Sequence, residues 1–158
     1  MKKKYRLTNI TMELNGKTLY RIQALKNFYA KGYSEWVRKN ELGGWVESEK
    51  NLSQEENCWI AENACVFDNA KVYGNACIWG NVKIYENACV FDNARVYENA
   101  EIYGNAKIYE NAEIYDNVKI CENVKISNTT WVGGYGEIYG NTWIHTNEVI
   151  FWKTMRND

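Results

Sequence analysis

The sequence predicts an all-β chain: a parallel β-helix built from six-residue repeats, with an N-terminal β-hairpin cap. Three observations predict it. Counting in sixes from Asn57 to Trp152 gives sixteen unbroken hexads, fourteen of which open with Asn, the exceptions being Thr129 and Tyr135. The fourth position is Ile or Val in all sixteen, and the second is mostly Ala, so a small and an aliphatic residue two apart recur after every turn. A helix cannot keep such a stripe on one face, because six residues advance it by about 600° and displace the stripe by roughly 120° per repeat.

Taken in order, residues 1–56 form the cap. Within them "TMELNGKTLYRI" places Asn15-Gly16 between two strand-like runs, a strong hairpin signal, and Leu42, Val46 and Leu52 are expected to lie over the first coil. Residues 57–152 form the rod. Period-2 alternation turns the second and fourth positions inward and the third and fifth outward. The sixth and first positions form the corner, where Asn tolerates the left-handed backbone and glycines at 74, 80, 104 and 140 tolerate almost any. Asn side chains stacked one coil apart are also placed to hydrogen-bond to one another.

Charge sets the number of hexads per coil. Two per coil would stack Lys71, Lys83, Arg95, Lys107 and Lys119 about 4.8 Å apart, a destabilising ladder of like charges. Three per coil instead stack Lys83, Glu101, Lys119 and Glu137 with alternating sign. The sixteen hexads then make about five coils of a triangular prism. Residues 153–158 are a short C-terminal tail.

The repeat, as in "IYGNAK" at 102–107, resembles the hexapeptide repeat of left-handed β-helix proteins, which include trimeric acyltransferases. "GGWVESEKNLSQEENCWIAENA", residues 43–64, is similar to the cap and first coil of YdcK-type repeat proteins of bacteria and their phages. The resemblance implies a left-handed coil; it says little of activity, since many functions sit on this solenoid. One departure stands out: the residue after the aliphatic is aromatic in eleven hexads of sixteen, where the transferases usually have a small or acidic one.

The formal net charge of −1 argues against nucleic acid and anionic membranes as partners. It conceals an asymmetry, about +4 over residues 1–56 and −5 over the remainder. No apolar run approaches the ~18 residues that would span a bilayer, and the charged start lacks the apolar segment of a signal peptide. Five cysteines fit reduced thiols, so a cytoplasmic location is expected.

The fifth-position aromatics stand outward. Among them Tyr73, Tyr85, Tyr97, Tyr103, Tyr109 and Tyr115 are the candidate binding surface, read either as cross-strand ladders or as a contact face. His145, the only histidine, is the sole candidate for the general base that an acyltransferase of the resembling kind would use. Cys65, Cys77 and Cys89 fall on three different faces and cannot share a metal. The corner carboxylates pair one coil apart, as Asp68 with Glu86, but lack a calcium-binding nonapeptide. No metal site or cofactor is expected, and no Walker motif, phosphate-cradling loop or nucleophile elbow is present.

After Ile126 the repeat decays and gains bulky residues. Trp143, Phe151 and Trp152 are the candidate oligomer interface, because a β-helix without a lower cap exposes a strand edge and apolar interior. The expectation is a non-enzymatic interaction solenoid acting through its aromatic and charged ladders. It binds itself, as a dimer through the C-terminal coil, with the side-by-side trimer that the transferase resemblance suggests as the main rival and a head-to-tail contact of the +4 cap with the −5 rod as a third, and it binds a further protein; the resemblance to phage-borne proteins makes an inhibitor of a host system one concrete form. The alternative is a hexapeptide-repeat acyltransferase.

Overall fold

The computed structural model describes residues 2–153, so all of the expected tail except Lys153 lies outside the described residues. The fold is an all-β parallel solenoid of about six turns. It begins with β1 (Tyr5–Leu14) and β2 (Lys17–Ala24), joined at Asn15-Gly16 with φ of 51° and 76°. Both residues of this turn are left-handed, which is the twist a two-residue hairpin needs. A second hairpin follows, β3 (Phe28–Ala30) and β4 (Glu35–Val37), and then β5 (Leu42–Val46).

The rod starts with ten two-residue strands, from Trp59–Ile60 to Glu113–Ile114. Each pairs in parallel with its equivalent 18 residues on, as in Lys83↔Glu101 and Glu101↔Lys119, so three hexads close a coil. The alternating charge ladder forms as the sequence predicts. The second- and fourth-position residues make one continuous core from Cys58 to Ile144, with nearly every member fully buried.

Three faces result, named here by their third-position residues. Face A carries Cys65, Lys83, Glu101, Lys119 and Glu137. Face B carries Trp59, Cys77, Arg95, Glu113 and Trp131. Face C carries Lys71, Cys89, Lys107, Lys125 and Trp143. Near the lower end the strand Trp131–Ile138 runs across the corner through Gly133, Gly134 and Gly136, joining faces A and B into one sheet.

Several expectations change. The solenoid reaches upstream of Asn57: Trp45 pairs with Cys65 and Leu52 with Val72, so a coil of 20 residues already runs through the cap region. Val46 and Leu52 are buried as expected, but Leu42 lies at the start of β5 and is 42% exposed, outside the cover. The left-handed residue at each corner is not the Asn but the sixth-position residue before it. Glu62, Asp68, Glu86, Asp92, Glu98, Glu110, Asp116 and Glu122 all have φ between 54° and 62°.

A left-handed Glu costs on the order of 1 kcal/mol. The offset is visible one coil below, where each carboxylate accepts a backbone N–H. Glu86 accepts from Gly104 at 3.1 Å, Asp92 from Glu110 at 3.0 Å and Glu98 from Asp116 at 3.0 Å. A charge-assisted bond of this kind is comparable with the strain or exceeds it. The paired corner carboxylates are therefore staples between coils. Asn side chains beside several of the staples form ladders of their own, as in Asn63 Nδ2 to Asn81 Oδ1 at 3.4 Å and Asn81 Nδ2 to Asn99 Oδ1 at 3.3 Å.

Like charge is not wholly avoided either: Lys107 and Lys125 are direct neighbours on face C.

Candidate interaction surfaces

The aromatic ladders form on all three faces. Phe67, Tyr85 and Tyr103 stack with centroids 5.1 Å apart; Tyr73, Phe91 and Tyr109 stack at 4.8 and 5.1 Å; Trp79, Tyr97 and Tyr115 stack at 4.7 and 5.6 Å. Rings one strand apart in register have no other place to go, and each pair contributes about 0.2 to 1 kcal/mol. Stacking consumes the ring faces and leaves edges and hydroxyls outward.

Several of those hydroxyls are engaged. Tyr85 donates to Glu101 Oε1 and Tyr103 to Glu137 Oε1, both at 2.7 Å. Burial, reinforced by these acceptors, raises the Tyr85 and Tyr103 hydroxyls well above the usual phenol value; burial and the nearby Glu113 do the same for Tyr97. Cys121 ends the ring stack on face A and donates to the same Glu137 Oε1 at 3.2 Å. Hydrogen bonds from Tyr103 and Cys121 in turn lower the Glu137 carboxyl. Of the six candidate tyrosines, Tyr73 on face C is the most exposed, at 39%, and the other five are half-buried.

The cap decides which faces are open. On face A the β1–β2 hairpin packs Leu19, with Met12 and Leu14, against Cys65 and Phe67. On face B the segment between β3 and β4 lies on the rod: a Cβ on Gly32 would stand 3.0 Å from Cys77 Cβ, and Tyr33 packs on Trp79 at 5.4 Å. The three outward cysteines record the result. Cys65 and Cys77 are 4% and 1% exposed, buried although their positions point outward, whereas Cys89 on face C is half-exposed. Period-2 alternation assigned them all outward because it could not see the cap folding down over two faces.

His145 stands at the foot of face C. Its Nδ1 lies 2.6 Å from Ser127 Oγ, which also accepts a hydrogen bond from Trp143 Nε1 at 3.1 Å. His145 is exposed but Ser127 is fully buried within the stack. The arrangement continues the ladder below Tyr109 with polar residues and keeps the hydroxyl buried behind the exposed imidazole. Sequence reading missed Ser127, whose only signal was a fifth-position serine one coil above the histidine.

At the lower end, Trp143 and Phe151 are 61% and 66% exposed, and Trp131, Tyr135, Tyr139 and Val149 are open beside them. Trp152 differs from the other two interface candidates. It is half-buried, packs against the last core residues and donates from Nε1 to Glu137 O at 3.1 Å.

Among the described residues no group of three or more His, Cys, Asp or Glu side chains is arranged to hold a metal ion. Among the described residues no helix is long and apolar enough to cross a membrane. No protein-family model matches the chain, and no curated protein is similar to it.

Proposed function

We propose that this chain is a non-enzymatic interaction solenoid that self-associates as a dimer through its C-terminal coils and uses its remaining open surface to bind a further protein. The observation that carries the reading is the concentration of bare apolar side chains at the lower end: Trp131, Tyr135, Tyr139, Trp143, Val149 and Phe151 are each 44% exposed or more. Aromatic anchors of this kind dominate protein interfaces, and a patch of them on an otherwise polar rod marks a contact site. A two-fold contact between the ends of two copies covers both strand edges and leaves none to propagate a fibre.

The resemblance to phage-borne repeat proteins supports inhibition of a host system as the form that further binding takes. Five free thiols, four of them buried, fit a cytoplasmic setting.

One observation favours the acyltransferase reading, the short Ser127–His145 contact. The burial of Ser127 and its second bond to Trp143 weigh against a nucleophile there.

The test is light scattering on the intact chain and on a Trp143→Glu, Phe151→Glu variant, which leaves the half-buried Trp152 in place. The expected result is a dimer that becomes a monomer. An intact chain that is monomeric at working concentration overturns the self-association, and a variant that stays dimeric moves the interface elsewhere.

A further inference from the structure

Face C differs from the other two faces in charge as well as in cover. On face A, Lys119 pairs with Glu101 at 3.7 Å; on face B, Arg95 pairs with Glu113 at 3.7 Å. The outward charges of face C have one sign. Lys71, Lys107 and Lys125 occupy its third positions, Lys50 lines a groove with Lys71, and among the described residues none of the four forms an ion pair. Lys107 and Lys125 are held one strand apart, where like charges destabilise a sheet. Beside them runs the stack of Tyr73, Phe91 and Tyr109, edges outward, and ring edges carry the positive end of the aromatic quadrupole.

We infer that face C is the docking surface for the further protein, and that the segment it takes is acidic and extended. The inference rests on the reading of the chain as an interaction solenoid and adds the place and chemistry of the partner. Charge complementarity carries it: a column of unpaired ammonium groups on an uncovered flat sheet attracts carboxylates and relieves the Lys107–Lys125 repulsion.

Shape narrows the choice. The corners flanking the face carry Asp68, Glu86 and Glu122 on one side and Asp92 and Glu110 on the other, all with positive φ in the staple positions. The basic strip is therefore narrow and rimmed by negative charge. Such a strip admits a single extended segment and repels the broad polyanionic surface of duplex nucleic acid or a membrane. Single-stranded nucleic acid is disfavoured for a second reason: it gains affinity by stacking bases on open ring faces, and here the faces are spent on one another.

The experiment is fluorescence anisotropy with a labelled oligoglutamate peptide, an oligoglutamine control and single-stranded oligothymidylate, on the full chain at low and at physiological salt. Oligoglutamate is expected to bind, more weakly at higher salt, and oligoglutamine not to. A Lys107→Glu, Lys125→Glu variant should lose at least about tenfold in affinity. A Lys83→Glu, Lys119→Glu variant, with the same charge change on face A, should stay within about twofold. Lys107→Gln with Lys125→Gln, a milder change, should give an intermediate loss if the reversed charges disturb folding.

Absent binding, equal losses from the two faces, or tighter binding of oligothymidylate would each overturn the inference. The interaction reading fails separately: a chain that is monomeric by light scattering loses its self-association, whereas a dimer that ignores oligoglutamate loses only the assignment of face C.

Discussion

At the upper end of the rod, Lys4 is fully buried, and its Nζ donates to three backbone carbonyls, those of Glu55, Glu56 and Cys58, at 3.3, 3.3 and 2.7 Å. Tyr5 adds a hydroxyl bond to Leu52 O at 2.5 Å, and Gln54 Oε1 accepts from the backbone N–H of Lys4 and of Tyr5. At the lower end the same task falls to Trp152, whose indole reaches Glu137 O, while the aromatic residues around it face outward. A parallel β-helix exposes backbone polar groups at both ends, and buried ones must find partners. The first end is finished within the chain, by a charged donor with three carbonyl acceptors and the Cys58 sulfur at 3.2 Å. The second, among the described residues, is met by the single indole of Trp152, and its exposed apolar side chains are what recommend it as an interface.

The largest expected effect breaks the first end. Lys4→Ala removes the donor from three carbonyls and leaves a void beside Phe28, whose ring centroid lies 5.5 Å from Nζ. Unfolding in urea should show a loss of about 3 kcal/mol, in the range for breaking a buried charged group's hydrogen bonds. A loss under about 1 kcal/mol would mean that the cap is held by its hairpins alone. Removing exposed Phe151 should cost far less stability, so the pair of substitutions separates a sealed end from an offered one.

How much of this was legible in the sequence follows from the period. An aliphatic residue at every sixth position fixes the inward face, and Asn15-Gly16 fixes the hairpin, because both signals are local. The number of hexads per coil was legible from charge because Lys83, Glu101, Lys119 and Glu137 alternate only at a spacing of 18. Lys4 was not legible: a lysine in a run of three reads as solvated, and only the carbonyls of residues 55–58, brought back over it by the fold, make it a core residue. The covering of Cys65, Cys77 and Phe67 was hidden for the same reason. Alternation says which way a residue points and not what lies on top of it. At the corner, Asn is the usual left-handed residue, and the staple bond that lets Glu and Asp take its place runs between coils.

The next effect is a pH dependence that sharpens the contrast between the ladders and the cap. Tyr85, Tyr97 and Tyr103 titrate above the usual phenol value of 10.0 when folded, so the unfolded chain releases those protons first. Their contribution to stability is fully present below pH 10.0 and is lost as pH rises through the folded values. Cys65, Cys77 and Cys121, pushed up to about 11 chiefly by burial, act in the same direction from pH 9.0. Lys4 opposes them. Burial holds its ammonium below the usual 10.5, so the unfolded chain binds the extra proton, and stability rises with pH between the folded and unfolded values. Urea midpoints measured against pH should fall at alkaline pH, and Tyr85→Phe with Tyr103→Phe should fall less steeply than the parent chain. Parallel slopes would show that the two ladder hydroxyls are not what holds the rod at high pH.

The smallest expected effect lies at the foot of face C, where the ladder and the exposed end meet. In the His145→Ala variant, Ser127 keeps the bond from Trp143 Nε1 but loses the partner on its other side. A buried hydroxyl with one of two partners gone costs about 1 kcal/mol or less, because water reaches the space vacated by an exposed ring. Self-association should persist, since the ring adds little apolar surface beside Trp143 and Phe151, and oligoglutamate binding should persist on the lysine column above. Loss of a biological activity with both properties intact and folding unchanged would give His145 a chemical role after all. That outcome would move the protein from the binding class to the acyl-transfer class on the strength of one residue.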